Sequence, residues 1–202
     1  HGRTVTTLSA TGQDVFHQYF FPFTEGFRYA RANSMESVRE LTDDTVCAVM
    51  LEFIQGEGGV LPLEEGFVKE LAGFCKAKKL LLIADEVQTG VGRTGSFYCF
   101  QQYGVTPDIV TSAKGLGGGL PIGACLCTKE LAGVLSVGMH GSTFGGNPVA
   151  CAGAVEVLNR VGNEDFLKQV REKGAYLRKR LEQLPWIREV RGKGLMLGAD
   201  LK

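Results

Sequence analysis

One lysine stands in a setting that suits covalent chemistry. Lys114 follows the apolar run Ile109–Ser112, lies between the small residues Ala113 and Gly115, and precedes several further glycines. Small neighbours let the backbone approach a ligand closely, and a lysine at the end of a buried strand loses its proton more easily through desolvation. An unprotonated lysine can form a Schiff base with an aldehyde. Although most lysines are solvated surface charges, these neighbours predict that Lys114 holds an aldehyde-bearing ligand.

An acidic pair is the second chemical element. Asp85 closes the apolar run at residues 80–85, and Glu86 follows it directly. Alone, such a pair is a weak signal, because metal sites, nucleotide sites and plain helix caps all use it. Beside an imine-forming lysine it is more specific, since a site for pyridoxal 5'-phosphate needs an acidic partner for the pyridinium nitrogen. Asp85 and Lys114 fit those two tasks.

The glycines after Lys114 also suggest a nucleotide-phosphate loop. The stretch KGLGGG lacks the spacing G-x-x-x-x-G-K-[ST], and its lysine precedes the glycines. It does not match G-x-G-x-x-G either, so a nucleotide site is disfavoured. A second glycine-rich stretch, residues 140–148, offers hydroxyls and backbone amides suited to a phosphate group. Its alternative interpretation is an ordinary loop capped by Asn147.

The elements that must position these residues follow an α/β pattern. Four apolar runs predict buried strands, and a helix over residues 63–79 lies between the first two. This order predicts a right-handed crossover and a mostly parallel sheet, in which ligands bind beyond the carboxyl ends of the strands. The predicted strands cover residues 46–52, 80–85, 109–112 and 122–128.

The last part of the chain turns helical. Residues 149–160 and 163–184 predict two helices, with Pro148 near the start of the first. The apolar face of the second is predicted to comprise Phe166, Val170, Tyr176, Leu177 and Leu181. Residues 186–201 alternate weakly and predict the first strand of a further domain. The predicted division is therefore a large domain over residues 1–158 and the start of a small one over residues 159–202.

Composition disfavours several classes of function. Lys plus Arg and Asp plus Glu both total 22, so no excess of positive charge points to nucleic acid or an anionic membrane. No apolar run approaches the ~18 residues of a membrane span. Six cysteines, without C-x-x-C spacing, are interpreted as buried thiols of a cytosolic protein rather than as disulfides or metal ligands. The expected partner is a small molecule.

Four motifs in order resemble one family. They are LEFIQGEGG at residues 51–59, LLIADEVQTGVGRTG at 81–95, DIVTSAKGLGGGLPIGA at 108–124 and GSTFGGNPVAC at 141–151. Together they are similar to the class III aminotransferases, enzymes of fold type I that use pyridoxal phosphate. Within the class, HGRT, VQTGVGRTG and RGKGLMLG are most similar to the acetylornithine aminotransferases. The resemblance implies a large α/β domain with a mostly parallel sheet flanked by helices, followed by a small α+β domain.

The resemblance also implies how the cofactor is held. Lys114 would form the Schiff base and relay the substrate proton, and Asp85 would pair with the pyridinium nitrogen. Val87 would pack on the ring face, and Gln88 would reach the ring hydroxyl. No residue is assigned to a metal.

Further implied contacts involve a partner subunit and the substrate. Ser142 and Thr143 resemble residues that reach the cofactor phosphate of the partner, so a homodimer with shared active sites is expected. Arg3 matches an arginine that holds the substrate carboxylate, a task that suits a guanidinium fork. Glu57 resembles a carboxylate that pairs with a C-terminal arginine for a long amino donor and releases it for 2-oxoglutarate.

Two departures from the family pattern qualify these expectations. Phe53 stands where the family has proline after Glu52. The glycine-rich phosphate-binding turn of the family and most of its small domain are not in this sequence. We therefore expect a fragment of a longer chain, inactive by itself.

The implied reaction of the intact protein is transamination in arginine biosynthesis. N-acetyl-L-ornithine and 2-oxoglutarate would give N-acetyl-L-glutamate 5-semialdehyde and L-glutamate in the cytoplasm. The alternatives within the fold are aminotransferases for ornithine, succinylornithine or 4-aminobutyrate, and an aminomutase acting on glutamate semialdehyde. A non-catalytic domain of the same fold is the alternative from a different class.

Overall fold

The computed structural model describes all of residues 1–202. Two compact units are present, His1–Val46 and Cys47–Lys202. The first contains the short helices α1 (Val5–Ser9) and α2 (Met35–Leu41) and a 3-10 turn at Asp14–Phe16. This division differs from the boundary predicted after residue 158, which stays a prediction.

The second unit is an α/β assembly. Its helices are α3 (Glu65–Lys78), α4 (Pro148–Val161) and α5 (Glu164–Glu182). Its strands are β1 (Ala48–Leu51), β2 (Ile54–Gln55), β3 (Leu61–Pro62), β4 (Leu81–Asp85), β5 (Ile109–Ser112), β6 (Ala124–Cys127), β7 (Ile187–Lys193) and β8 (Met196–Leu201). None of the helices combines the length and apolar character that crossing a membrane requires.

The main sheet has the strand order β1-β4-β5-β6. Strands β1, β4 and β5 are parallel, and β6 runs antiparallel to β5. Each of the four lies inside its predicted segment, and α3 connects β1 to β4 as the crossover helix. The prediction of a mostly parallel α/β sheet is therefore confirmed, and the carboxyl ends of β1, β4 and β5 meet at one edge.

A hydrophobic core contains Ala84 and Val110 of the neighbouring strands β4 and β5, together with Phe53. Phe53 is fully buried, and its ring centroid lies 5.1 Å from that of Tyr103. The Tyr103 hydroxyl donates to the Phe53 carbonyl at 3.1 Å. The residue that replaces the proline of the family pattern is thus a core residue that anchors the segment after β1.

The prediction of four buried strands is wrong at both ends of the sheet. Strand β1 has no buried residue and exposes Met50, and β6 is more exposed still. All four of its residues are exposed. The reason is its place in the sheet, because β6 is the last strand in the order and pairs only with β5. A continuous run of apolar residues alone does not distinguish such an edge strand from a central one.

The interpretation of the six cysteines as buried thiols is confirmed only in part. Cys75 and Cys99 are buried, and burial raises the pKa of the Cys75 thiol to about 11 and that of Cys99 to about 12. Cys47, Cys125 and Cys127 are exposed, so the interpretation is wrong for them. Two of these three lie on the exposed strand β6.

Helix α4 begins as predicted. Pro148 is its first residue, and the side chain of Asn147 accepts a hydrogen bond from the Ala150 amide at 2.9 Å. This cap satisfies one of the free amides at the helix start, and proline suits the first position because its missing amide proton is not needed there.

The predicted apolar face of α5 is largely wrong. Its buried residues are Leu167, Val170 and Gly174, whereas Phe166, Tyr176 and Leu177 are exposed. The cause is the close approach of another backbone at Gly174. A Cβ atom at this position would lie 2.2 Å from the Gly194 carbonyl oxygen.

The strand predicted over residues 186–201 is in fact a hairpin. Strands β7 and β8 pair antiparallel, and Gly194 in the turn between them has a positive φ of 53°. Glycine adopts this conformation without steric cost, so the chain reverses there and places β8 beside β7. The hairpin also packs against α5.

Replacing Gly174 with alanine is expected to destabilise the protein, although alanine normally favours a helix. The collision with the Gly194 carbonyl should cost about 1–3 kcal/mol in the free energy of unfolding, as overpacking does. Gly73 in α3 is the matched control, because a Cβ atom there meets nothing within 4 Å. Gly73→Ala should stabilise by up to about 1 kcal/mol. Urea unfolding of both variants tests this, and shifts of the same sign would contradict it.

Candidate active site

The carboxyl ends of the parallel strands bring together three ionisable residues. Glu52 follows β1, Asp85 is the last residue of β4, and Lys114 lies two residues beyond β5. Burial raises the pKa of the Glu52 carboxyl and the charge of Asp85 raises it further, whereas a hydrogen bond from the Gly56 amide and the charge of Lys114 lower it. The three charges are therefore close enough to interact, as the parallel sheet predicts.

Asp85 is held in a defined position. It is only 4% exposed, and its Oδ1 accepts a hydrogen bond from the Val87 amide at 3.1 Å. Its neighbour in the strand register is Thr111 of β5, whose Oγ1 is buried and has no hydrogen-bond partner. The Asp85 carboxylate thus lies at the strand ends in a setting shielded from solvent.

Glu86 differs from Asp85 in its surroundings. It is fully buried, and its carboxylate accepts hydrogen bonds from the Phe100 amide, at 2.8 Å, and from the Thr89 hydroxyl. Burial raises the pKa of the Glu86 carboxyl. Although the two carboxylates are adjacent in the sequence, Glu86 ties the end of β4 to the 3-10 helix Cys99–Tyr103.

Lys114 begins a 3-10 turn, Lys114–Gly117, that is anchored by the buried Leu116. Its φ is 46°, in the left-handed region that side chains other than glycine rarely adopt. Strained backbone of this kind clusters at functional sites, where the surrounding structure enforces it. Lys114 itself is exposed, so residues 1–202 do not supply the desolvation that the sequence predicts for it.

A cavity of about 300 Å³ lies beside Lys114. Its volume is at the lower end of the range for small-molecule sites, roughly 300–1,000 Å³. Three predicted site residues, Lys114, Val87 and Gln88, line it together, whereas Asp85 does not. The remaining lining residues are Gly90, Val91, Arg93, Gly115 and Met196.

Three long side chains at this site were not predicted. Glu52 could have been predicted from the sequence, because it stands at the end of a parallel strand just as Asp85 does. Arg93 lies in the quoted motif VGRTG, but no feature of its neighbours marks it as a cavity residue. Met196 comes from the hairpin of β7 and β8, and only the three-dimensional structure brings it to the cavity.

The other predicted site residues lie outside this cavity. Ser142 and Thr143 are exposed in the loop before α4. Glu57 is exposed in the turn at residues 56–60, where the Gly56 carbonyl accepts hydrogen bonds from the amides of Gly59 and Val60, at 3.1 and 3.2 Å. The proposed roles of these side chains in binding stay predictions.

Arg3 belongs to the first unit. Its guanidinium lies over the Phe16 ring, 4.1 Å from the centroid. Both residues line a second cavity of about 230 Å³ together with Leu8, Val15, Tyr19 and Phe20. The cation and its aromatic surroundings suit a carboxylate ligand, and the assignment of Arg3 to the substrate stays a prediction.

The residues present can hold pyridoxal phosphate. The primary amine of Lys114, the carboxylate of Asp85 and the amide of Gln88 are the donor set that its aldehyde, ring nitrogen and ring hydroxyl require. Ser112, two residues before Lys114, adds a buried hydroxyl without a hydrogen-bond partner. Such orphaned hydroxyls are rare in proteins, and two of them lie at the end of β5.

Comparisons with known proteins point to one family. The family model "Aminotransferase class-III" matches residues 1–202. An acetylornithine aminotransferase of Haemophilus ducreyi is 50% identical over 201 residues, which are 99% of this chain and 51% of that protein. A succinylornithine transaminase of Citrobacter koseri is 47% identical over 206 residues, covering 100% of this chain and 51% of that protein.

Solved structures agree with the sequence comparisons. An ornithine aminotransferase of Toxoplasma gondii superimposes with a TM-score of 0.92 at 39% sequence identity. The match covers 100% of this chain and 49% of that one. The chain thus spans about half the length of the relatives that it matches.

Proposed function

The chain belongs to the class III aminotransferases, and from this premise we propose that the intact protein is a pyridoxal-phosphate-dependent aminotransferase for N-acetyl-L-ornithine and 2-oxoglutarate. The main support for this proposal is that Lys114, Val87 and Gln88 line one cavity. Asp85 lies buried at the adjacent strand end. The choice of donor is supported by the 50% identity to an acetylornithine aminotransferase.

Each of these residues has a distinct task in the proposed reaction. When bound, pyridoxal phosphate supplies an aldehyde for the substrate amine and a ring that withdraws electrons from the substrate carbon. Lys114 would hold the cofactor through its Nζ atom and would move a proton with the same atom. The Asp85 carboxylate would keep the ring nitrogen protonated. Val87 would contact the ring face, and the Gln88 amide would orient the ring through its hydroxyl.

The proposal includes a homodimer in which Ser142 and Thr143 serve the partner subunit. Both residues are exposed, so they are accessible for that contact. Arg3 would bind the substrate carboxylate, and Glu57 would pair with a cationic residue elsewhere in the intact protein. We place the protein in arginine biosynthesis in the cytoplasm, whose reducing conditions suit its six free cysteines.

The 47% identity to a succinylornithine transaminase supports N-succinyl-L-ornithine as a second candidate donor. A panel of donors with 2-oxoglutarate, assayed on the intact protein, distinguishes the two. We expect kcat/KM for N-acetyl-L-ornithine to exceed that for N-succinyl-L-ornithine, L-ornithine and 4-aminobutyrate by at least about tenfold, a discrimination that one substrate group can provide.

Each other outcome of the panel has a defined meaning. Preference for N-succinyl-L-ornithine, or for one of the other two donors, would replace the proposed substrate and keep the class of enzyme. No turnover with any donor would support a non-catalytic domain and contradict the proposed function. The Lys114→Ala variant provides the background rate.

A further inference from the structure

The turn at residues 56–60, here called the Glu57 turn, has a backbone that its own sequence does not favour. Val60 has a φ of 56°, whereas the φ of 108° at Gly59 is one that glycine adopts readily. A β-branched residue with positive φ is a genuine outlier. Such conformations persist only where contacts from the surrounding structure hold them in place. Contacts from outside the turn must therefore hold it.

Arg191 of β7 supplies one of these contacts. Its Nε atom donates to the Gly59 carbonyl at 2.8 Å. Its Nη1 and Nη2 atoms lie 2.7 and 2.8 Å from the two carboxylate oxygens of Asp200 on β8. This fork geometry leaves the guanidinium little freedom to rotate. The side chain is only 19% exposed, so the Nε donor is fixed on the turn.

The hairpin also approaches the turn with its backbone. A Cβ atom at Gly198 of β8 would lie 3.0 Å from the Val60 Cβ and 3.2 Å from the Gly59 carbonyl oxygen. At the other end of the turn, a Cβ atom at Gly56 would lie 1.6 Å from Oε1 of Gln88. The Glu57 turn is thus held between the hairpin and a residue that lines the cavity.

We propose that Arg191 is a positioning residue for substrate selection, which acts by fixing the Glu57 turn. Resting on the proposed function, this inference assigns the hairpin a task in distinguishing the amino donor from 2-oxoglutarate. Glu57 can neutralise a cationic partner for one substrate and release it for the other only if its backbone stays in place. Misplacement by about 1 Å can cost about 10²-fold in rate.

The test compares Arg191→Gln with Arg188→Gln in the intact protein. Arg188 also pairs with Asp200, at 3.0 Å, but its side chain is 67% exposed, and its hydrogen bond goes to that carboxylate and not to the turn. In Arg191→Gln, kcat/KM for the amino donor should fall about tenfold, the effect of losing one charge-assisted hydrogen bond. The value for 2-oxoglutarate should fall less than about threefold, so the ratio of the two changes.

Two further measurements separate positioning from general stability. Hydrogen exchange at the amides of Gly59 and Val60 should become about tenfold faster in Arg191→Gln and stay unchanged in Arg188→Gln, because local opening follows the lost contact. Arg191→Lys should not restore the ratio of the two kcat/KM values, because an ammonium cannot contact both Asp200 oxygens and the Gly59 carbonyl at the same time.

Equal behaviour of the two glutamine variants would overturn the inference. So would an equal loss for donor and 2-oxoglutarate, because it would indicate a general loss of folded protein. If the wild-type protein fails to transaminate at all, the proposed function fails and the role in substrate selection fails with it. The exchange measurement then still reports whether Arg191 holds the turn.

Discussion

Lys114→Ala is expected to lower kcat for transamination by the intact protein by at least about 10³-fold, because one side chain both holds the cofactor and moves the proton. The variant should still fold, since Lys114 is exposed and the anchoring residue of its turn is the buried Leu116. Steady-state kinetics with N-acetyl-L-ornithine and 2-oxoglutarate measure the effect, and circular dichroism checks the fold.

Lys129→Ala is the matched control for Lys114→Ala. Lys129 is also an exposed lysine that begins a 3-10 segment after a strand of the same sheet, but it does not line the cavity. Its replacement should leave kcat within about twofold, as expected for a surface substitution. Comparable activity of Lys114→Ala and wild type would remove Lys114 from the mechanism.

Asp85→Asn should lower kcat by about 10²–10³-fold, the usual cost of removing a preorganised electrostatic contact. The amide has the shape of the carboxylate but no charge, so it cannot keep the ring nitrogen protonated. A cofactor analogue with an N-methylated ring carries a permanent positive charge and should restore part of the lost rate in the variant. Wild type should gain nothing from the analogue.

The control for Asp85→Asn is Asp44→Asn, which makes the same change at an exposed position of the first unit. It should leave kcat unchanged. Full activity of Asp85→Asn with the natural cofactor would contradict the assignment of Asp85 to the ring nitrogen. A loss that the N-methylated analogue does not relieve would assign the effect to structure around β4.

The sheet and the centre of the site are predictable from the sequence because their signals are local. Continuous apolar runs define β1, β4 and β5, and Asp85 and Lys114 stand directly at or after two of these runs. Parallel strands place such residues at one edge of the sheet. The same reasoning, applied to β1, would have added Glu52.

The parts that could not be predicted depend on contacts between distant segments. The bond from Arg191 to Gly59 joins residues 132 positions apart, and Met196 reaches the cavity from the same hairpin. The buried face of α5 is set by Gly174. Because this residue has no side chain, the backbone of Gly194 can approach the helix closely there. Apolar periodicity carries no information on such contacts.

The exposure of β6 has a related physical origin. An edge position depends on which strands pair, and the sequence of β6 is as apolar as that of a central strand.

Reduction of the protein with borohydride in the presence of pyridoxal phosphate tests most directly whether Lys114 is the cofactor-holding residue. Peptide mass spectrometry of the intact protein then locates the adduct, with Lys114→Ala as the control. We expect a single adduct at Lys114 in the wild type and none in the variant. An adduct at another lysine, or labelling scattered over surface lysines, would contradict the assignment of this site.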